Sequence, residues 1–60
     1  MMVVRVQAAL MRLGYYNGDI DGLLGPMTRE AITNFQSDRS LGKTGRMDID
    51  TLTALGISVQ

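Results

Sequence analysis

The chain has sixty residues, with six basic and six acidic side chains and no cysteine or histidine. So short a chain makes one small domain that buries only about 60% of its unfolded surface. The cancelled charge argues against nucleic acid or an anionic membrane as partner, and the missing cysteine and histidine remove a disulfide staple, the usual zinc ligand and the usual general base.

Met1 to Leu13 is apolar-rich but broken by Arg5, Gln7 and Arg12. It lacks a continuous apolar stretch and a cleavage site, so it reads as neither signal peptide nor membrane span. Val3, Val6, Leu10 and Leu13 instead form one helical stripe, placing a first helix at about residues 3–13. Gly14 follows as a natural left-handed residue after the helix end.

Leu13 to Thr28 holds four of the seven glycines, the only proline and both tyrosines. Such a loop specifies a backbone path. Ile20, Leu23 and Leu24 within it are expected to bury, folding the loop onto the helices it joins. Pro26 suits the first position of a second helix, expected over about residues 26–39. Ala31, Ile32 and Phe35 form its inner face, with Met27 or Thr28 one turn earlier. Arg29, Glu30, Asn34, Ser37 and Asp38 are expected in solvent, and Phe35 at the centre of the core.

Ser40 to Met47 reads as a second loop, with Leu41 turned inward and Gly42 and Gly45 as turn residues. Asp48 suits the N-cap of a short third helix, Ile49 to Leu55, with Asp50 in its first turn. Leu52 and Leu55 face the core, Gly56 ends the helix and Ile57 folds back. Ser58 to Gln60 is an expected frayed tail. No strand pattern survives, so the fold class is all-α: a compact three-helix bundle with long structured loops. A faint echo pairs Ile20-Asp21 and Thr28 with Met47-Asp48 and Thr51. Its spacings differ, so it reads as shared capping chemistry and not as a repeat.

Catalysis finds little support. Asp19 with Asp21 and Asp48 with Asp50 are carboxylate pairs, but a glycosidase needs two facing each other across a cleft, about 5 to 9.5 Å apart. Turn capping explains them better. Asn17, Asp19, Asp21 and Gly22 match the first half of a calcium loop, yet its twelfth position is Thr28 where a bidentate Glu is needed. No metal site is therefore assigned. Serine and threonine lack a histidine to activate them, and no spacing pairs one with the sole lysine, Lys43. The chain reads as non-catalytic and without a cofactor. Tyr15 and Tyr16 are adjacent, so one can bury while the other offers a ring. With Asn17 and Arg29 they could form an aromatic face with polar donors for a sugar or peptide, or simply pack the loop.

One set of residues resembles a known family. It runs Val6-Gln7, Leu10, Leu13-Gly14-Tyr15-Tyr16, then Gly18, Ile20-Asp21-Gly22, Gly25-Pro26, Thr28, Ala31-Ile32, Phe35-Gln36, then Leu41, Thr44-Gly45, Asp48, Thr51-Leu52 and Leu55. In order and spacing it resembles the peptidoglycan-binding domain, a small three-helix module of bacterial cell-wall hydrolases, lytic transglycosylases, transpeptidases and phage endolysins. The likeness covers residues 3–57 as a single domain, leaving 1–2 and 58–60 as tails. It implies a monomeric, non-catalytic module that binds peptidoglycan, by glycan strand or stem peptide, and tethers an attached catalytic domain to its substrate. The place of action would be the cell envelope, with any export signal elsewhere. The alternative is a protein-interaction or autoinhibitory domain that reuses the fold.

The resemblance also assigns parts. Val6, Leu10, Leu13, Ile32, Phe35, Leu52 and Leu55 would build the core, and Asp21, Gly22, Gly25 and Thr28 would hold the first loop. The ligand is expected at that loop and the start of the second helix: Tyr15, Tyr16, Asn17, Asp21, Leu24, Thr28 and Arg29, with Gln36 and Arg46 further out. Two departures stand out. Ser40 sits where the family often has glycine, which implies a strained Ser40 or a turn rebuilt around Gly42. Met1-Met2 replaces the lead-in that commonly caps the first helix.

Overall fold

The computed structural model describes residues 2–58 and consists of three helices: α1 (Met2–Arg12), α2 (Pro26–Asp38) and α3 (Ile49–Ala54). Among the described residues there is no strand. The helices agree with the sequence expectation to within one residue at each end. The tail positions Val59 and Gln60, and Met1 of the expected lead-in, lie outside the described residues.

The core joins Val6, Ala9 and Leu10 of α1 to Ala31, Ile32 and Phe35 of α2, with Leu52 of α3, Leu55 just after it and Tyr16 from the first loop. Phe35 is fully buried. The ring of Tyr15 meets it edge-on at 5.5 Å and 87°, and the Arg39 guanidinium lies 4.9 Å over its face. Burying one such side chain contributes about 1.5–3 kcal/mol, a large share of what a sixty-residue chain has. The Tyr15 hydroxyl donates to Asp38 at 2.7 Å. That bond, with burial and the Asp38 charge behind it, holds the phenol above its ordinary pKa.

All three helices end in the same way. The N–H two residues past the cap returns to a carbonyl in the last turn: Tyr15 to Leu10, Leu41 to Gln36 and Ile57 to Leu52. The N–H between them bonds one residue further on: Gly14 to Met11, Ser40 to Ser37 and Gly56 to Thr53. This is the Schellman arrangement, whose middle residue takes a left-handed backbone. Gly14 and Gly56 do so at φ 91° and 79°, and Ser40 does so at φ 59°. Ser40 is thus the strained alternative of the two that its sequence allowed. Leu41 and Ile57 fold onto the core as expected.

Three expectations are corrected. Leu13 is 41% exposed, not core. Helix α1 stops at Arg12 and its last turn closes through Gly14 and Tyr15, so the stripe ends at Leu10 and Tyr16 fills the next inward place. Ile20 and Leu23 are 43% and 66% exposed. Only Leu24 of the loop's aliphatic residues packs on the core; the Tyr16 ring and the polar bonds to Gln7 hold the rest of the loop. Asp48 does occupy the N-cap of α3 in an extended conformation, but its side chain makes no cap bond to the helix. It accepts the Thr44 hydroxyl instead.

Candidate functional site

Four polar side chains are buried among the described residues: Gln7, Thr28, Gln36 and Thr51. Buried amides and hydroxyls are costly unless bonded, and each of these is. The Gln7 Nε2 donates to Thr28 Oγ1 at 3.0 Å, Leu23 O at 3.1 Å and Asp21 Oδ1 at 3.1 Å. A longer approach of 3.4 Å reaches the Tyr16 hydroxyl. Its Oε1 accepts the Gly22 N–H at 3.0 Å. One amide from α1 therefore ties the Asp21–Leu23 part of the first loop to the first turn of α2.

Gln36 repeats the pattern on the second loop. Its Nε2 donates to Thr51 Oγ1 at 2.9 Å, Thr44 Oγ1 at 3.1 Å and Arg46 O at 3.2 Å, and its Oε1 accepts the Gly45 N–H at 3.0 Å. Asp21 thus corresponds to Thr44, Gly22 to Gly45, Leu23 to Arg46 and Thr28 to Thr51. Gly25 and Asp48, the N-caps of α2 and α3, also correspond. The faint echo in the sequence is real, but it pairs Asp21 with Thr44 and not with Asp48. The two units differ in one respect. Gln7 and Gly22 are 15 positions apart, whereas Gln36 and Gly45 are 9 apart.

Those surplus residues of the first loop form one wall of an open pocket. It has a volume of about 390 Å³ and is lined by Tyr16, Gly18, Asp19, Asp21, Leu23, Gly25, Pro26, Met27 and Thr28. That volume falls in the ordinary range for ligand sites, about 300–1,000 Å³. Leu23, Pro26 and Met27 supply exposed apolar surface, and Asp19 and Asp21 supply carboxylates. Asp21 Oδ1 also accepts the Leu23 N–H at 2.9 Å. The Leu23 N–H, with the Gln7 amide behind it, holds the Asp21 carboxyl below its ordinary pKa. The pocket therefore presents acceptors beside an apolar wall, a combination suited to a ligand with amide or hydroxyl donors and aliphatic parts. None of its linings pairs a nucleophile with a base. Among the described residues no group of three or more histidines, cysteines or acids is placed to hold a metal ion.

Residues 2–55 match the model of the family described as "Putative peptidoglycan binding domain". The chain belongs to this family.

Its similarity to curated proteins is local. It is 51% identical over 49 residues, 82% of this chain and 11% of the relative, to "Putative OxPP cycle protein OpcA" of Synechococcus elongatus. It is 43% identical over 51 residues, 85% of this chain and 5% of the relative, to the localization factor PodJL of Caulobacter vibrioides. It is 53% identical over 34 residues, 57% of this chain and 12% of the relative, to a spore cortex-lytic enzyme of Oceanobacillus iheyensis. The chain thus spans only 5% to 12% of these relatives. No solved structure matches it with comparable significance.

Within this peptidoglycan-binding domain the sequence-derived site residues divide. Tyr16, Asp21 and Thr28 line the pocket. The Tyr16 ring is buried, with its hydroxyl donating to the Asp19 carbonyl, and Thr28 is bound to Gln7. Tyr15 is the half-buried partner, its ring against Phe35. Asn17 and Arg29 are exposed but outside the pocket lining, and Leu24 packs on the core. Gln36 is buried in the second lock, and Arg46 lends that lock its carbonyl, so neither lies with the pocket. The pocket lining also includes Gly18, Asp19, Leu23, Gly25, Pro26 and Met27, which the sequence-derived site does not name. Nothing in the spacing singled out Leu23 or Met27: Leu23 precedes the helix, and Met27 lies one turn before Ala31, where Thr28 takes the buried place.

Proposed function

We propose that this domain binds peptidoglycan in the pocket between the first loop and the start of α2, and that it tethers a wall-active enzyme to its substrate. The observation that carries the reading is the open, mixed polar and apolar pocket of about 390 Å³ in a chain that matches a peptidoglycan-binding family. Resemblance to a spore cortex-lytic enzyme supports the tethering role. A weak module suffices there, since tethering raises the local concentration of its partner to about the millimolar range. The domain acts as one unit over residues 3–57, as a monomer, without chemistry of its own, at the cell envelope. Leu23, Met27, Asp19 and Asp21 meet the ligand, and Arg29 flanks it one turn along α2.

The test is co-sedimentation with insoluble peptidoglycan, with cellulose and chitin as controls. Wild type should sediment with peptidoglycan selectively. Leu23→Ala and Met27→Ala should weaken retention at unchanged helicity, because both side chains are exposed and contribute little to the core. Retention unaltered in both variants would move the site elsewhere.

A second reading has its own support. The relatives that cover most of this chain are named a localization factor and an OxPP cycle protein, not wall enzymes. In that reading the same pocket takes a segment of a partner protein or a flanking part of its own chain. A folded domain that ignores peptidoglycan but forms a stable complex with a flanking domain would favour it.

A further inference from the structure

We propose that Gln7 is the positioning residue of the ligand pocket, whereas Gln36, its counterpart in the second unit, serves the fold alone. The inference rests on the reading that this pocket binds the wall. Gln7 touches no open surface, being fully buried. The bonds that its Nε2 donates nevertheless end on the pocket. Asp21, Leu23 and Thr28 each receive one from its Nε2, and Tyr16 lies within its longer reach. All four line the cavity. The bonds of Gln36 end on Thr44, Gly45, Arg46 and Thr51, none of which does.

Two amides in the same chemical role therefore differ in what they hold. A side-chain amide has two N–H groups and one acceptor oxygen. In Gln7 the donors are shared by one oxygen from the loop backbone, one from Asp21 and one from α2, while the acceptor takes the Gly22 N–H. This fixes the Asp21 carboxylate and the Leu23 backbone relative to the helix that carries Met27. Removing the amide leaves the long Thr28 hydroxyl bond to the Leu23 carbonyl, 3.4 Å, to hold the loop against α2, so the gap between them shifts. A binding site needs its walls held to a fraction of an ångström, and it loses function before the scaffold loses its fold.

The experiment compares wild type, Gln7→Met and Gln36→Met in co-sedimentation with insoluble peptidoglycan. Retention is scored per folded molecule, with the folded fraction taken from circular dichroism. Both variants are expected to unfold at lower temperature than wild type, since each loses one buried lock. At matched folded fraction, Gln7→Met should lose about tenfold or more in retention, and Gln36→Met should stay within about twofold of wild type. If a methionine variant does not fold under these conditions, the same pair is compared in the cold with a stabilising osmolyte, which favours the compact state of both, and the same contrast is expected. Retention of folded Gln7 variants at the wild-type level would overturn the inference, as would equal losses at both positions. Failure of wild type itself to sediment would overturn the wall-binding reading, and this inference with it.

Discussion

Gln7 and Gln36 hold their loops by the same bonds, and α2 is part of both locks. It gives Thr28 to Gln7 from its first turn and carries Gln36 in its last. The two loops are therefore not independent attachments. Gln36→Leu illustrates the cost. It leaves the buried Gly45 N–H without an acceptor and the Thr51 hydroxyl without its donor. An orphaned buried group costs about 1–3 kcal/mol, so the variant should lose about 2–4 kcal/mol in urea unfolding followed by circular dichroism. A chain of this size has only about 3–9 kcal/mol in hand, so the melting transition should fall visibly. A loss below about 1 kcal/mol would mean that water replaces the lock.

The glycines held by these locks should be hard to replace. Gly22 and Gly45 lie at φ 74° and 69°. A Cβ on Gly45 would stand 3.1 Å from the Thr33 hydroxyl, which is itself bonded to the Arg29 carbonyl at 2.9 Å. On Gly22 it would stand 3.3 Å from a methyl of Val4 in the first turn of α1. The left-handed backbone alone costs an alanine about 1–2 kcal/mol. Gly45→Ala should therefore lose at least that much, and more than Gly22→Ala, whose neighbour sits at a helix end and gives more readily. The ordering is read from the two urea midpoints.

Much of this was legible in the sequence, and the rest was not for definite reasons. Val6, Leu10, Ile32 and Phe35 showed their burial by spacing, Pro26 marked a helix start, and Gly14 and Gly56 marked two helix ends. Leu13 misled because an apolar stripe carries no sign of where its helix stops. Ile20 and Leu23 misled because an aliphatic residue in a loop suggests an anchor, while here two glutamines do the anchoring from a distance. Those glutamines look like ordinary surface positions on amphipathic helices. Their signal lay in a shared spacing: each lock pairs a Gly with a Thr six places on, Gly22 with Thr28 and Gly45 with Thr51. Aligning the echo on Asp21 and Asp48 hid it, because Asp48 stands at an N-cap and corresponds to Gly25. The pocket was half legible. Its loop was identified, but its apolar wall at Leu23 and Met27 was assigned to the core or left aside.

Ser40 offers a gain in stability. It is the only non-glycine residue at positive φ among those described, and it is exposed. Its own N–H and that of Leu41 make the two bonds of the helix-ending motif, so the backbone is committed to this shape. A left-handed conformation costs a serine about 1–2 kcal/mol, and glycine's extra freedom in the unfolded chain returns about 0.5–1 kcal/mol of that. Ser40→Gly should raise stability by about 0.5–1 kcal/mol net, and Ser40→Val should lower it, since β-branched residues fit this region worst. Equal urea midpoints for all three would show that the turn relaxes around whichever residue it is given.

Asp21 should make the first loop sensitive to acid. Its carboxylate accepts the Leu23 N–H and the Gln7 amide, and these bonds hold its pKa below the ordinary 3.8. As the pH falls, the unfolded chain takes up this proton before the folded one does, so protonation favours unfolding. The contribution of Asp21 is fully present above pH 3.8 and is lost as the pH drops through the lower folded-state value. Asp21→Asn keeps an acceptor oxygen for both bonds but cannot titrate. The wild type should be the more stable of the two at neutral pH, because a charged acceptor makes the stronger bond. That advantage should shrink as the pH falls through 3.8 and below, where the wild-type carboxylate is neutralised. Other acids titrate in both proteins, so the difference between their urea midpoints isolates Asp21. A difference that stays constant across this range would mean that the carboxylate charge plays no part in holding the loop.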